Sequence, residues 1–420
     1  MNQNNSKSTL LLRVLLGIGL ILVTAFSLIT AALAFFLIAR RTSQPKLAAA
    51  GAGAVLLLHA GSVAWLVTRS LPSSIMIALG VLLFSAALAW RYVFSPIPVQ
   101  HQVSPTRPDT KYWDLPTGSC LAYTHFPASG TPQPAPVVYL HGGPAIPTRA
   151  ANYDFFRQLT LDGYDIYMYD QVGSGASHPL PDIRNYTLQR NIDDLEALRQ
   201  KIGTEQIILV GTSWGGILAA HYLATYPENV ASVIFISPGV LGSRKNVRYD
   251  HSRTASSEDK SLILPPLRMI VAGALARANP LAAERFASAE EMNSIFDTFI
   301  SSPSMEYQVH CKGYVSKTNG HTRSSGGCYY ANLLIQDSLK RAVDPFPKLQ
   351  SIPAPALILR GECDYIPLES TSRYQQALPN ATLQIIPESG HAVTSAQPEL
   401  ALSAIRAFLN SQSFITGQLS

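Results

Sequence analysis

Three uncharged apolar runs near the N-terminus constrain this chain of 420 residues more than any other feature of its sequence. No charged side chain occurs from Val14 to Ala39, from Leu47 to Val67 or from Leu71 to Trp90. A helix of about 20 apolar residues is long enough to cross the hydrocarbon core of a bilayer. The sequence therefore predicts a multi-pass membrane region over residues 1–94, with transmembrane helices at about 14–39, 47–67 and 71–90.

The basic residues that flank these runs predict the orientation of the chain. Three spans place the N-terminal tail and the large C-terminal region on opposite sides of the bilayer, and lysine and arginine are enriched on the cytoplasmic side. The basic residues next to the C-terminal region are Arg40, Arg41, Lys46, Arg91, Arg107 and Lys111, and they outnumber Lys7, Arg13 and Arg69 on the other side. We therefore expect a cytoplasmic C-terminal region. The net charge of +5 is spread out, so we expect no nucleic-acid partner.

Beyond a proline-rich linker at 95–110, strand-like apolar runs alternate with amphipathic helical patterns. This alternation is typical of an α/β fold with a mostly parallel sheet and helices on both faces. The strand pattern stops over 240–347, where Ser288 and Glu291 have the spacing of a capping box that opens an amphipathic helix. We expect an α/β core over 111–239 and 348–410, a helical lid over 240–347, and a C-terminal tail over 411–420.

A nucleophile elbow is predicted where the apolar run Ile207–Val210 meets Gly211-Thr212-Ser213-Trp214-Gly215 and a helical pattern follows. In such an elbow a serine projects from a sharp strand-to-helix turn, and small neighbours leave room for the strained backbone. The serine hydroxyl needs a base to remove its proton and an acid to orient that base. In the α/β-hydrolase order the acid and then the histidine follow the serine along the chain.

Two loops after later strands supply this acid and base. Asp364 lies in Gly361-Glu362-Cys363-Asp364, and His391 lies in Ser389-Gly390-His391. Both loops follow strand patterns, so they are expected at the same sheet edge as Ser213. Glu362 is an alternative acid, but Asp364 is preferred because it lies further into the loop. The sequence thus predicts a catalytic triad of Ser213, His391 and Asp364.

An oxyanion hole is predicted from two backbone amides. One is the amide of Trp214, directly after the nucleophile, and the other is the amide of Gly142 in His141-Gly142-Gly143-Pro144. Two such donors stabilise the negative charge of a tetrahedral intermediate. Glycine fits this loop because the backbone must approach the substrate closely.

The cysteines do not indicate a metal site. The chain has four, without Cys-x-x-Cys or another zinc-like spacing, so we expect no metal and no cofactor. Cys311 and Cys328 flank a loop rich in glycine, serine and threonine, and would pair if the domain faced an oxidising space. An oxidising space conflicts with a cytoplasmic domain, and the sequence leaves open whether Cys311 and Cys328 pair.

Together these motifs resemble the proline iminopeptidase branch of the α/β-hydrolases, over about Lys111 to Asn410. The resemblance rests on three segments, His141-Gly142-Gly143-Pro144, Asp170-Gln171-Val172-Gly173-Ser174-Gly175 and Gly211-Thr212-Ser213-Trp214-Gly215-Gly216. It implies a metal-free serine peptidase that releases an N-terminal residue, typically proline, from peptides. Two departures from the family pattern are Ala145 in place of a glycine and Val172 in place of an arginine.

The resemblance also implies a substrate site beneath a helical lid, where acidic side chains hold the free amine of a peptide. Gly143 and Pro144 are expected to contact the substrate, and the candidate lid acids are Glu284, Glu290, Glu291, Asp297 and Glu306. Two alternatives stay open. The membrane anchor and the apolar stretch from Leu262 to Ala276 favour an esterase or amidase for lipid-like or small acyl substrates. A membrane-tethered binding module without activity is the third hypothesis.

Overall fold

The computed structural model describes residues 3–99, 107–245, 247–255, 264–313 and 326–416. Its strands are β1 (Lys111–Asp114), β2 (Cys120–Phe126), β3 (Val137–Leu140), β4 (Ile166–Tyr169), β5 (Ile207–Thr212), β6 (Val230–Ile236), β7 (Ala356–Gly361) and β8 (Ala381–Ile386). Its helices are α1 (Gln3–Thr42), α2 (Pro45–Thr68), α3 (Leu71–Ala89), α4 (Ala150–Arg157), α5 (Leu188–Ile202), α6 (Trp214–Thr225), α7 (Leu267–Ala278), α8 (Pro280–Phe286), α9 (Ala289–Ile300), α10 (Pro303–Gln308), α11 (Tyr329–Leu339), α12 (Phe346–Leu349), α13 (Leu368–Ala377), α14 (Val393–Ala396) and α15 (Pro398–Thr416).

Contacts divide the chain into two compact units. The first unit comprises Met1–Pro98 and Leu264–Glu291, and the second comprises Val99–Ile263 and Met292–Ser420. We call them the membrane unit and the hydrolase unit. Helices α7 and α8 therefore group with the N-terminal helices, although the sequence placed them in a single lid over 240–347. The lid residues 246, 256–263 and 314–325 lie outside the described residues, as do 100–106 of the linker and 417–420 of the tail.

The membrane unit contains three helices that are long and apolar enough to cross a bilayer, as the apolar runs of the sequence predict. Their apolar segments are Ile21–Thr42, Pro45–Thr68 and Leu71–Phe94. Proline at the start of α2 fits the first turn of a helix, where its missing N–H has no partner to lose. His59 lies in the middle of the second span, and its Nδ1 is 3.1 Å from Thr30 Oγ1 on α1. This bond satisfies one polar atom of the imidazole within the helical hairpin.

The hydrolase unit is built on one eight-stranded sheet with the order β1-β2-β4-β3-β5-β6-β7-β8. Strands β1 and β2 pair antiparallel, β2 pairs antiparallel with β4, and all later pairs are parallel. On one face, alternate residues of the central strands pack against α4 and α15 in the main apolar core. On the other face, Phe235 of β6 packs against Tyr374 of α13, with ring centroids 4.8 Å apart. The fold is therefore the predicted α/β arrangement.

Sequence patterns located most of these elements to within a few residues. The apolar run Ile207–Val210 forms the first part of β5, and helix α15 continues to Thr416, into the predicted tail. Helix α5 begins after Thr187, whose Oγ1 accepts the Arg190 N–H at 3.0 Å as an N-cap. The capping box at Ser288 is half formed, because Ser288 Oγ accepts the Glu291 N–H at 3.2 Å while the Glu291 carboxylate binds Arg268 instead.

Candidate active site

Ser213 lies at the turn between β5 and α6 with a φ of 54° and a ψ of −113°. A positive φ is strained for a residue with a side chain, and such strain is typical of a nucleophile elbow. The glycines of the motif are required by close packing. A Cβ on Gly211 would collide with the carbonyl of Gly215, and one on Gly215 would collide with the carbonyl of Leu140. The Ser213 N–H donates to the Ile236 carbonyl at 3.0 Å, which ties the turn to β6.

Asp364 and His391 are brought together by the loops that follow β7 and β8. His391 Nδ1 lies 2.9 Å from Asp364 Oδ1, and both side chains are buried. Since β5, β7 and β8 run parallel, these loops and the Ser213 elbow lie at the same edge of the sheet. An ionised carboxylate only accepts hydrogen bonds, so Nδ1 carries the imidazole proton and Nε2 is the basic nitrogen.

The electrostatic surroundings of Asp364 favour its ionised form. Burial raises the pKa of this carboxyl, but His391, the Ile366 N–H and Arg360 outweigh burial and hold the pKa below its ordinary value. The Ile366 N–H donates to Asp364 Oδ1 at 3.0 Å. Asp364 is therefore ionised at neutral pH and suited to orient a histidine. The alternative acid Glu362 is half exposed and pairs with Arg253 at 3.1 Å.

The three segments that carry the family resemblance are joined by hydrogen bonds through Gln171. Its Oε1 accepts the indole N–H of Trp214 at 2.7 Å, and its Nε2 donates to the His141 carbonyl at 3.0 Å. The Gln171 backbone N–H donates to His141 Nε2 at 2.8 Å. Burial lowers the pKa of His141, and this accepted bond likewise requires the neutral imidazole. Glutamine and tryptophan thus form one buried scaffold between the elbow and the loop at Gly142.

The loop His141–Pro144 approaches the elbow closely. A Cβ on Gly142 would lie 3.4 Å from the Cβ of Ser213, so the backbone here borders the nucleophile. His141 Nδ1 donates to the Gly142 carbonyl at 2.8 Å. In a trans peptide the N–H points opposite to the carbonyl, so this bond also fixes the direction of the Gly143 amide. The loop therefore brings the backbone of Gly142 next to Ser213.

The two departures from the family pattern have different structural settings. Ala145 has a φ of 54°, a conformation in which glycine is less strained, and this explains a glycine in the family motif. Val172 is fully buried, so an arginine at this position would need partners for a buried guanidinium. Asn332 on α11 contacts Pro144, because its Nδ2 donates to the Pro144 carbonyl at 2.6 Å.

A disulfide ties the lid to the acid loop. Cys311 pairs with Cys363, the residue before Asp364, with their Cα atoms 5.6 Å apart. The pairing of Cys311 with Cys328 that the sequence allowed is therefore wrong, and Cys328 is a buried free thiol at the start of α11. No local sequence pattern indicates a bond to Cys363, because the bond joins segments that only the tertiary fold brings together.

The residues around this disulfide also hold the histidine loop. The Val309 carbonyl accepts the Ala392 N–H at 3.1 Å, and the Cys363 N–H donates to the Ser389 carbonyl at 3.0 Å. A Cβ on Gly390 would collide with the Val309 carbonyl, so the two segments are in direct contact. The segment at 309–311 therefore supports both the Asp364 loop and the His391 loop.

The candidate lid acids are dispersed. Glu291 is buried in an ion pair with Arg268, Nε to Oε1 2.5 Å, and with Glu284 and Glu290 it belongs to the membrane unit. Asp297 is buried in the hydrolase unit and accepts the Gly326 and Gly327 N–H groups at 3.1 and 2.8 Å. Glu306 lies on α10 near the buried His310, whose pKa is lowered to about 4 mainly by burial. His310 follows Val309, whose carbonyl contacts the His391 loop. Among the candidate acids, Glu306 is therefore the one beside the segment that contacts this loop.

Comparison with known proteins identifies the class of this chain. A model of the alpha/beta hydrolase fold family matches residues 135–394, more than half of the chain. The chain therefore belongs to the α/β-hydrolase fold family. The fold is also similar to that of an esterase from Thermogutta terrifontis, with a TM-score of 0.50 and 21% identity over 72% of this chain and 98% of that one.

Among curated relatives, the chain is proline iminopeptidase-like. It is 26% identical to the proline iminopeptidase of Heyndrickxia coagulans over 302 residues, which cover 70% of this chain and 96% of the relative. A shorter match reaches 38% identity over 131 residues of the proline iminopeptidase of Lactobacillus delbrueckii subsp. bulgaricus. That match covers 29% of this chain and spans 42% of the relative's length.

Proposed function

We propose that this protein is a membrane-anchored serine aminopeptidase that releases N-terminal residues of the proline type from peptides. The observation that carries the proposal is the buried His391–Asp364 hydrogen bond of 2.9 Å at the sheet edge that also bears the strained Ser213 elbow. The scaffold of Gln171, Trp214 and His141 supports the peptidase branch, because it links the three segments shared with proline iminopeptidases.

The proposed cycle uses Nε2 of His391 as the general base. It takes the proton of Ser213 Oγ while the oxygen attacks the carbonyl carbon of the N-terminal residue. The amides of Trp214 and Gly142 stabilise the oxyanion. Collapse of this intermediate breaks the C–N bond, and His391 gives its proton to the leaving amine. Water, deprotonated by His391, then hydrolyses the acyl-enzyme, which releases the amino acid and restores Ser213.

Recognition of the free amine is assigned to Glu306, with Gly143 and Pro144 lining the site. A carboxylate attracts the ammonium group of an unblocked peptide, most strongly where solvent is excluded. Glu284 and Glu291 are less suited to this role, since they belong to the membrane unit and Glu291 is already paired with Arg268. Glu306→Gln is therefore expected to raise KM for a prolyl-arylamide more than it lowers kcat.

The nucleophile is tested with a fluorophosphonate probe on the full-length protein in detergent. We expect Ser213→Ala to abolish labelling, whereas Ser174→Ala, which removes another buried hydroxyl of the same loop cluster, leaves Ser213 labelled. Labelling that persists in Ser213→Ala would exclude Ser213 as the nucleophile. If Ser213→Ala is labelled and also turns over substrate, the nucleophile is another serine.

A second candidate activity is hydrolysis of lipid-like or small acyl esters and amides. The exposed apolar residues of α7, Leu267 and Ile270, favour it because they give the membrane unit an apolar surface beyond the three spans. The same triad would act, and only the acyl substrate would differ. Turnover of acyl esters that greatly exceeds turnover of prolyl-arylamides would support this activity over the peptidase.

For the location of the hydrolase unit, the charge pattern and the disulfide favour opposite sides of the membrane. The basic residues favour the cytoplasm, whereas stable disulfides form in oxidising spaces and are rare in the cytosol. We propose that the hydrolase unit faces the oxidising side. The basis is that Cys311 and Cys363 are paired directly beside the proposed catalytic acid, while the excess of basic residues is small.

A further inference from the structure

Helix α7 is apolar around its circumference except for Arg268 in its first turn and Arg277 in its last turn. Its buried face includes Met269, Ala272, Leu275 and Ala276. On the other face Leu267 and Ile270 are 49% and 51% exposed, Val271 and Ala274 beside them are half-buried, and the exposed Arg277 ends this face in the last turn. A surface helix in water normally carries polar residues on its outer face, whereas a helix that is apolar all round lies inside a protein or in lipid.

The length of α7 distinguishes the ways in which lipid can cover it. The helix has 12 residues, which is too short to span a hydrocarbon core that needs about 20. Short apolar helices at membranes instead lie along the interface, with one face about 5–10 Å into the boundary between headgroups and acyl chains. The position of α7 within the membrane unit decides whether it can do so.

One end of the α7–α8 pair is fixed to the carboxyl end of α1. Asn279, between the two helices, donates from Nδ2 to the Arg40 carbonyl at 2.9 Å and to Ser43 Oγ at 2.8 Å. Arg285 donates from Nη1 to the Ser43 carbonyl at 2.9 Å. The last carbonyls of a helix have no partners within the helix, so these side chains cap the first span.

The other end is fixed to the chain that leaves the third span. Arg268 Nη1 donates to the Val93 carbonyl at 3.0 Å, and Glu291 Oε1 accepts the Ile97 N–H at 2.7 Å. The pair of Arg268 and Glu291 is buried, and removing one partner of such a pair is strongly destabilising because it leaves the other charge buried and unpaired. Aromatic rings complete the contact, with Phe286 5.8 Å from Phe94 between centroids. The attachment is therefore specific at both ends.

Both attachment points lie on the same side of the bilayer. The chain leaves the first span near residue 43, returns through the second, and leaves the third near residue 94. Helix α7 contacts α1, whose Leu33 and Leu37 are more than half exposed and face lipid if the spans cross a bilayer. Helix α7 is thus attached where the spans end, next to a helix with an exposed apolar surface.

We propose that α7 is a fourth membrane-contacting helix, which lies in the bilayer interface with Leu267 and Ile270 directed toward the acyl chains. The occupant of its apolar face is the phospholipid bilayer. The proposal concerns the membrane unit and does not depend on the proposed peptidase activity.

The test is spin labelling of the full-length protein reconstituted in phosphatidylcholine–phosphatidylglycerol vesicles. Nitroxides are placed at Leu267→Cys and Ile270→Cys in a background with Cys120→Ser and Cys328→Ala, which retains the disulfide. The matched control is Leu368→Cys, because Leu368 is also the first residue of a helix and is also 49% exposed, but belongs to the hydrolase unit. An unchanged circular dichroism spectrum and a single gel-filtration peak in detergent show that each variant is folded.

We expect oxygen, which concentrates in acyl chains, to relax the labels at 267 and 270 more than a water-soluble nickel chelate does. The order should reverse at 368. Labels at 267 and 270 that are as accessible to nickel as the label at 368 would overturn the proposal. Mutual broadening of labels on two molecules, with access to neither reagent, would also overturn it and would identify a second copy of the chain as the occupant.

Discussion

At the scale of single residues, the proposed mechanism requires Asp364, and not Glu362, as the acid that orients His391. Asp364→Asn should lower kcat by about 10⁴-fold, because the amide stabilises the wrong tautomer of His391. Glu362→Gln is the matched control, since it lies in the same loop but is half exposed and pairs with Arg253. Steady-state kinetics on a prolyl-arylamide measure both effects. A larger loss in Glu362→Gln than in Asp364→Asn would assign the acid to Glu362.

A second residue-scale prediction concerns the strained backbone at Ala145. Ala145→Gly removes a buried methyl group but relieves a φ of 54°, and these effects nearly cancel, so the change in stability should stay within about 1 kcal/mol. Ala219→Gly, at an equally buried site inside α6, has no strain to relieve and should cost about 1–2 kcal/mol. Denaturant unfolding of the full-length protein compares the two, and equal losses would contradict strain at Ala145.

The sequence indicates some of these residues and not others, for physical reasons. Ser213, Asp364 and His391 are predicted from their positions after strand patterns, because local apolar periodicity indicates where strands end. The roles of Gln171 and Cys363 were missed, because each depends on a partner far along the chain. The acid at 291 was a candidate for substrate binding, yet its carboxylate binds Arg268, a contact that no local pattern encodes.

At the scale of structural elements, the disulfide should couple the lid segment to catalysis. Replacing Cys311 and Cys363 together by serine is expected to lower kcat more than it changes KM, because both the Asp364 loop and the His391 loop contact this segment. The bond encloses a separation of 52 residues, so its loss should also reduce stability by up to about 4 kcal/mol. Kinetics and unfolding of the double variant, with Cys120→Ser as control, measure both effects. Unchanged kcat in a folded double variant would limit the disulfide to stability.

Element types were largely predictable, whereas the grouping of elements was not. The strands from β2 to β8 and the helix α5 follow from apolar periodicity and caps within short windows of sequence. Grouping α7 and α8 with the N-terminal spans instead depends on contacts such as Asn279 with Ser43. Such contacts form between positions more than two hundred residues apart, and a single sequence contains no local signal for them.

At the scale of the whole molecule, the side of the membrane that holds the hydrolase unit is the most direct open prediction. Leu368→Cys in the Cys120→Ser and Cys328→Ala background gives an exposed thiol on the hydrolase unit. We expect an impermeant maleimide to label it from the oxidising side of intact host cells, without lysis. Labelling that requires lysis would place the hydrolase unit in the cytoplasm, as the positive-inside rule indicates.

The central claim is that Ser213 and its partners remove N-terminal residues from unblocked peptides, and one comparison tests it most directly. Prolyl-arylamide and N-acetyl-prolyl-arylamide are assayed with the wild-type protein, Ser213→Ala and Glu306→Gln under the same detergent conditions. We expect the wild type to turn over the prolyl-arylamide and Ser213→Ala to show no turnover. For the wild type, N-acetylation of the substrate should lower kcat/KM by about 10⁴-fold. Equal kcat/KM for the two substrates, or turnover of the free amine by Ser213→Ala, would contradict it.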